Sequence, residues 1–167
     1  MKENIKKIPA NTNELTLYCY LGEALIKTQM LEQALSYSII IKMNPEETKE
    51  KADEFLKKQQ RFTLGQAIKI TNKETLYNST LQNKLDSFLE HRNWLVHNVL
   101  IGNEEDFNAG KIKEEMFEKI KSISDKAEEI KRLIEYDMID FCSSKGKDMT
   151  NIKELLVLQD KGIRVRK

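Results

Sequence analysis

Only two imidazoles occur in the chain, His91 and His97. Any histidine-dependent proton transfer must use one of them. An imidazole ordinarily titrates at about 6.5, so it can take and give a proton near neutrality. His97 closes the stretch Leu89-Glu90-His91-Arg92-Asn93-Trp94-Leu95-Val96-His97. On a helix, Asn93 and His97 are four apart and stack on one face. Arg92 and His97 are five apart, about 140° round an α-helix, and share no row. They can still approach one phosphate if a groove runs beside the helix, because an arginine is long. Its planar guanidinium fork matches phosphate geometry. Plainer readings stand beside these: a surface imidazole for His97, a solvated flank position for His91, and a core or interface role for Trp94 instead of a base-stacking platform.

Arg92 is informative because arginine is scarce, five against 23 lysines. The surrounding helix carries an apolar face of Tyr77, Leu81, Leu85, Phe88, Leu95, Val96 and Val99. Arg92 falls within about 20° of Leu81 and Val99 on the helical wheel. A guanidinium on a core row is costly unless it is paired or lines a cleft. Glu32 is its candidate partner, lying within about 20° of Leu21 and Ile39 on the first helix. Two inward-facing charges predict an ion pair, either internal or lining a cleft.

The elements that position these residues are long helices. A helix is expected over about 13–43, opened by a capping box of Asn11 and Glu14, with the row Leu17, Leu21, Ala24 or Leu25, Thr28, Leu31, Leu35 and Ile39 at three- and four-residue steps. Asn44-Pro45-Glu46-Glu47 is a restart signal for a second helix reaching about Gln60. Thr63 and Gln66 form a capping box for a short piece ending near Ile70, and Thr71 and Glu74 read as another, opening a helix over about 73–101 with Gly102 at its C-terminal stop. Residues 102–110 read as an acidic loop. A helix over about 111–143 has the most regular stripe, Ile112, Met116, Ile120, Ile123, Ala127, Ile130, Ile134, Met138 and Phe141. After a break at 143–147, a last helix spans about 150–161 and stops at Gly162.

The fold class expected is therefore all-α: an antiparallel bundle of four to five helices, two of them long, in one domain spanning 1–167. Residues 1–10 read as a flexible arm and 162–167 as a basic tail. With 167 residues the chain has room for one core. Two prolines and six glycines are too few turn residues for a β-sandwich or barrel. The charges nearly cancel, 28 cationic against 27 anionic. This argues against a protein that coats polyanions broadly, though not against a local basic site. Candidate phosphate contacts are Lys57, Lys58 and Arg61, and Lys161, Arg164, Arg166 and Lys167 at the end; the plainer reading is a solvated face and a solvated terminus.

No apolar run approaches the roughly 20 residues of a membrane span, and no apolar segment follows the first residues as in a signal peptide. Cys19 and Cys142 are expected as free thiols in a cytoplasmic protein. The chain has no phosphate-binding loop and no Cys-x-x-Cys. It also lacks the Glu-x-x-His pairs of a di-metal bundle. No metal ligand set and no cofactor signature are visible. Helices of 31 to 33 residues, roughly 45–50 Å long, protrude from so small a domain, and protruding apolar stripes favour a homodimer.

The Arg92-Asn93-x-x-x-His97 stretch resembles the signature of the HEPN superfamily, small helical nucleotide-binding and RNase domains. That signature is an Arg, a polar residue that is often Asn, and a His a few residues on, within a helix. Leu21-Gly22, Met30-Leu31-Glu32 and Thr63-Leu64-Gly65 are similar to recurring features of HEPN-like bacterial proteins. The resemblance implies a metal-independent endoribonuclease with its site in a cleft between two protomers. It implies His97 as general base or acid for attack of the RNA 2′-OH on the adjacent phosphorus. Arg92 would hold the phosphate, Asn93 would orient His97 or the phosphate, and Glu32 would position Arg92. The products would be a 2′,3′-cyclic phosphate and a 5′-OH. A toxin or anti-phage role is implied, with RNA as substrate and a neutralising antitoxin or defence partner. Some members carry a Tyr two residues after the His as a modification site; Val99 stands there in this chain. The alternative is a non-catalytic nucleotide-binding or protein-interaction module of the same fold.

Overall fold

The computed structural model describes residues 9–44, 48, 50, 53–54, 57, 63–101, 103–109 and 111–163. Among them there are six α-helices and no strand: α1 Thr12–Met43, α2 Leu64–Lys73, α3 Ser79–Asn93, α4 Glu104–Asn108, α5 Glu114–Ser144 and α6 Thr150–Asp160. A π-helical turn, Trp94–Asn98, prolongs α3. The protein is all-α, and no helix among the described residues is long and apolar enough to cross a membrane.

Local signals set several helix ends. Asn11 accepts from the Glu14 amide at 2.9 Å while the Glu14 carboxylate accepts from the Asn11 amide, the capping box expected for α1. Thr63 and Gln66 do the same for α2. At the end of α6, Gly162 takes a φ of +75°. Its N–H reaches the Gln159 carbonyl, and that of Ile163 reaches Leu158. This is the Schellman closure that a glycine best accommodates.

Three expectations are corrected. Thr71 and Glu74 do not open a helix. Thr71 is fully buried inside α2, where its one hydroxyl proton lies between two acceptors, the Ile68 carbonyl at 2.8 Å and Gln82 Oε1 at 3.0 Å. α2 runs on to Lys73 and closes through Thr75, which sits at φ +50° where a glycine would be usual. The next helix starts instead at Ser79, with the Asn78 side chain accepting from the Leu81 amide at 2.9 Å. Finally, the acidic loop contains α4, whose first turn places Glu104, Glu105 and Asp106 at the positive end of the helix dipole. The expected helix over 44–60 lies mostly outside the described residues; Glu50, Asp53, Glu54 and Lys57 of it are helical.

α1 and α5, 32 and 31 residues long, make the main contact of the bundle. They run in the same direction. Tyr20 meets Phe117 edge-on, Lys27 lies in the field of Asp125 and Glu128, and Lys42 pairs with Asp137. α3 runs against both. Along α1, Arg92 reaches Glu32, and Tyr77, just ahead of α3, donates its hydroxyl to Ser38. Along α5, Lys84 pairs with Glu129 while His91 meets Lys126. α6 folds back on α5, tied where Arg132 and Tyr136 bind Asp160. Consecutive long elements are thus antiparallel, and the two longest, separated by two reversals, lie parallel.

The core fills the space between them. Leu17, Leu31, Leu35 and Ile39 of α1, Leu85 and Phe88 of α3, and Ile120, Ile123 and Ile134 of α5 are all at most 1% exposed. Each such side chain contributes about 1.5–3 kcal/mol on burial. The α5 stripe is buried as its spacing predicts from Met116 to Ile134, and Ile112 and Met138 pack at its ends.

Candidate functional site

The far end of α3 carries the candidate residues. Up to Phe88 the helix packs against α5 and α2. Leu95 is the last deeply buried residue, 3% exposed, and the backbone around it widens into the π-turn. π-turns bond residue i to i+5 in place of i+4. That widening narrows the angle between residues five apart, here Arg92 and His97. The α-helical spacing left these two on different rows; the π-turn moves them towards one. No propensity signal marks a π-turn, so the sequence reading had no means to find it.

Arg92 is half-buried. Its Nε donates to Glu32 Oε1 at 3.4 Å, with 23% of the arginine and 32% of the glutamate side chain exposed. The ion pair inferred from the two helical wheels therefore exists, and it sits at the rim of the core. Nη1 donates to the Asn93 side-chain oxygen at 3.5 Å. Asn93 thus turns towards Arg92, and it makes no hydrogen bond to His97. A guanidinium has five N–H donors, so most of them remain for a ligand.

His97 is exposed and has no hydrogen-bond or ion-pair partner among the described residues. His91 differs. Its Nδ1 lies 2.9 Å from the Ser87 carbonyl, and its Nε2 lies 2.9 Å from the Lys126 ammonium, which must donate. The two contacts together require Nδ1–H donating and Nε2 accepting. With its ring also stacked on Phe88, His91 has no nitrogen left for chemistry, whereas both of His97's are available.

Trp94 packs against the core, and Lys119 lies over its ring at 3.8 Å from the centroid. That ring face is covered by a cation, so stacking a base on it requires Lys119 to move. Lys57 and Lys161 are exposed. Lys58, Arg61, Arg164, Arg166 and Lys167 lie outside the described residues. Hydrogen bonds join Arg92 to Glu32 and to Asn93, Trp94 and His97 follow them in the chain, and the basic candidates are not linked to them by any contact among the described residues. No family model, no curated protein and no solved structure matches this chain.

Proposed function

We propose that the protein is a metal-independent endoribonuclease that uses Arg92 and His97. One observation carries the reading: an exposed imidazole with no partner among the described residues follows, across a π-turn, an arginine that donates to a carboxylate from another helix. The scissile phosphate sits against the free donors of Arg92, which offset the charge that develops on its oxygens. His97 takes the proton of the 2′-OH as that oxygen attacks phosphorus. The same imidazolium, or that of a second protomer, returns a proton to the departing 5′-oxygen. The bond formed closes a 2′,3′-cyclic phosphate, and the bond broken releases a 5′-OH. Glu32 orients Arg92, and Asn93 steadies it from the other side.

Such an activity suits a toxin or anti-phage role, held in check by a protein partner until needed. A 2′-deoxy substrate tests the chemistry. An RNA oligonucleotide is expected to be cut to cyclic-phosphate ends, and its fully 2′-deoxy counterpart to stay intact. Cleavage of both at comparable rates contradicts attack by the 2′-OH.

The second reading is a binding module without catalysis. It draws on the same Arg92–Glu32 contact, which satisfies part of the guanidinium internally. Binding of RNA without turnover under conditions where His97 is intact would favour it.

A further inference from the structure

Lys27, Lys42, Arg92 and Arg132 each pair with a carboxylate. Two lysines on the seam between α3 and α5 are held differently. The Lys119 ammonium lies 3.8 Å from the centroid of the Trp94 ring. The Lys126 ammonium donates to His91 Nε2 at 2.9 Å. Both lysines are exposed, and neither forms an ion pair among the described residues. Lys84 supplies the contrast on the same seam, tied to Glu129 at 2.8 Å.

A neutral ring holds an ammonium without cancelling its charge. A lysine on a carboxylate presents little field to a second anion, whereas one on a ring presents its full charge. An ammonium has three donors. Lys126 spends one on His91, and Lys119 spends none on an oxygen or nitrogen acceptor. Lys119 and Lys126 are seven apart on α5, within about 20° of one row and about 10.5 Å along the axis. That is about three nucleotides at the roughly 3.4 Å rise of a stacked strand. The neighbouring carboxylates lie off this row. Glu118 and Asp125, one residue before each lysine, are about 100° round the helix. Asp125 acts on Lys27 of α1, and Glu129 is engaged by Lys84. Because α3 and α5 are antiparallel, the two contacts run from His91 to Trp94, towards the π-turn that carries His97.

We infer that Lys119 and Lys126 form a phosphate-binding track beside the site, two ammoniums held ready on Trp94 and His91 for the backbone of the RNA strand next to the phosphate at Arg92. Trp94 then serves as a rest for a cation and not as a platform for a base. On binding, each ammonium moves from its ring to a phosphate oxygen, and condensed counterions leave the strand. The inference rests on the ribonuclease reading, from which it takes RNA as the ligand. It adds the residues that grip the strand.

The probe is a short single-stranded 2′-O-methyl RNA, which has no free 2′-OH to attack and so binds without being cut. Its affinity for the native chain is measured against salt. Each phosphate contact on a single strand contributes about 0.7 to the slope of log affinity on log salt, or about fivefold in affinity at about 0.1 M. Lys119→Gln and Lys126→Gln, both at exposed positions, should each weaken binding and flatten the slope by those amounts. Lys119→Arg should keep the native slope, and Lys153→Gln, an exposed lysine of α6, should change neither quantity. Trp94 is the one tryptophan in the chain, so its emission should change as the probe draws Lys119 away. Unchanged emission at saturation overturns the inference. If the native chain binds the probe and both glutamine variants match it in affinity and slope, the inference fails while the ribonuclease reading stands. If the native chain shows no salt-dependent binding at all, both fail. Competition by poly-glutamate as strong as that by RNA would mark an acidic-peptide surface and would also overturn the inference.

Discussion

The Arg92–Glu32 contact is too long and too well hydrated to hold the bundle together. At 3.4 Å, with about a quarter to a third of each side chain exposed, such a pair is worth less than about 1 kcal/mol. A double-mutant cycle of Glu32→Gln and Arg92→Lys, read by urea unfolding, should return a coupling below that figure. Its effect belongs in the function: Glu32→Gln should slow RNA turnover about tenfold, a loss of about 1.4 kcal/mol of transition-state stabilisation, with little change in melting temperature. Glu135 behaves oppositely. Burial pushes its carboxyl above the usual range, against the pull of Lys131 and Arg132. The native state then holds that proton more tightly than the unfolded chain. The stability it contributes is present below the ordinary glutamate range and is lost as pH rises through the raised value. Glu135→Gln should remove that loss, so its melting temperature should gain on the native chain as pH rises from about 4.

At the scale of elements, the caps at Asn11, Thr63 and Gly162 were legible, and those at Asn78 and Thr75 were not. Asn11, Thr63 and Gly162 end their helices as their residue types predict. α2 ends through Thr75 in the left-handed region, with the Leu76 amide on Thr71 and the Thr75 amide on Asn72. That is a Schellman closure built on a β-branched residue, which the sequence gives no reason to expect. The same residues, Thr71 to Glu74, imitate an N-terminal box, and this moved the expected start of α3 by six residues. Asn78, a residue type favoured at N-caps, is the cap that α3 uses. Thr75→Gly should relieve the strain and raise stability by about 1 kcal/mol, measured by urea denaturation. A loss of stability would contradict the account of this turn.

For the whole molecule, hydrophobic spacing carried the reading far. The two long helices, the inner rows of α1 and α5, and the facing of Glu32 and Arg92 all follow from counting threes and fours. The parallel run of α1 and α5 did not, because the spacing of apolar residues within a helix carries no information about its direction relative to another. The π-turn also stayed hidden, since it arises from backbone bonding that no residue type demands. It bears on the site, because an ordinary helix would leave Arg92 and His97 on separate rows.

The central claim is that His97, and not His91, does the chemistry, without a metal. It is tested most directly by RNA cleavage in excess EDTA, comparing the native chain with His97→Ala and His91→Ala. The account predicts that cleavage by the native chain survives chelation and leaves cyclic-phosphate ends. It also predicts that activity falls at least a hundredfold in His97→Ala and persists in a folded His91→Ala. Equal cleavage by the native chain and His97→Ala, or cleavage abolished by EDTA, would contradict it.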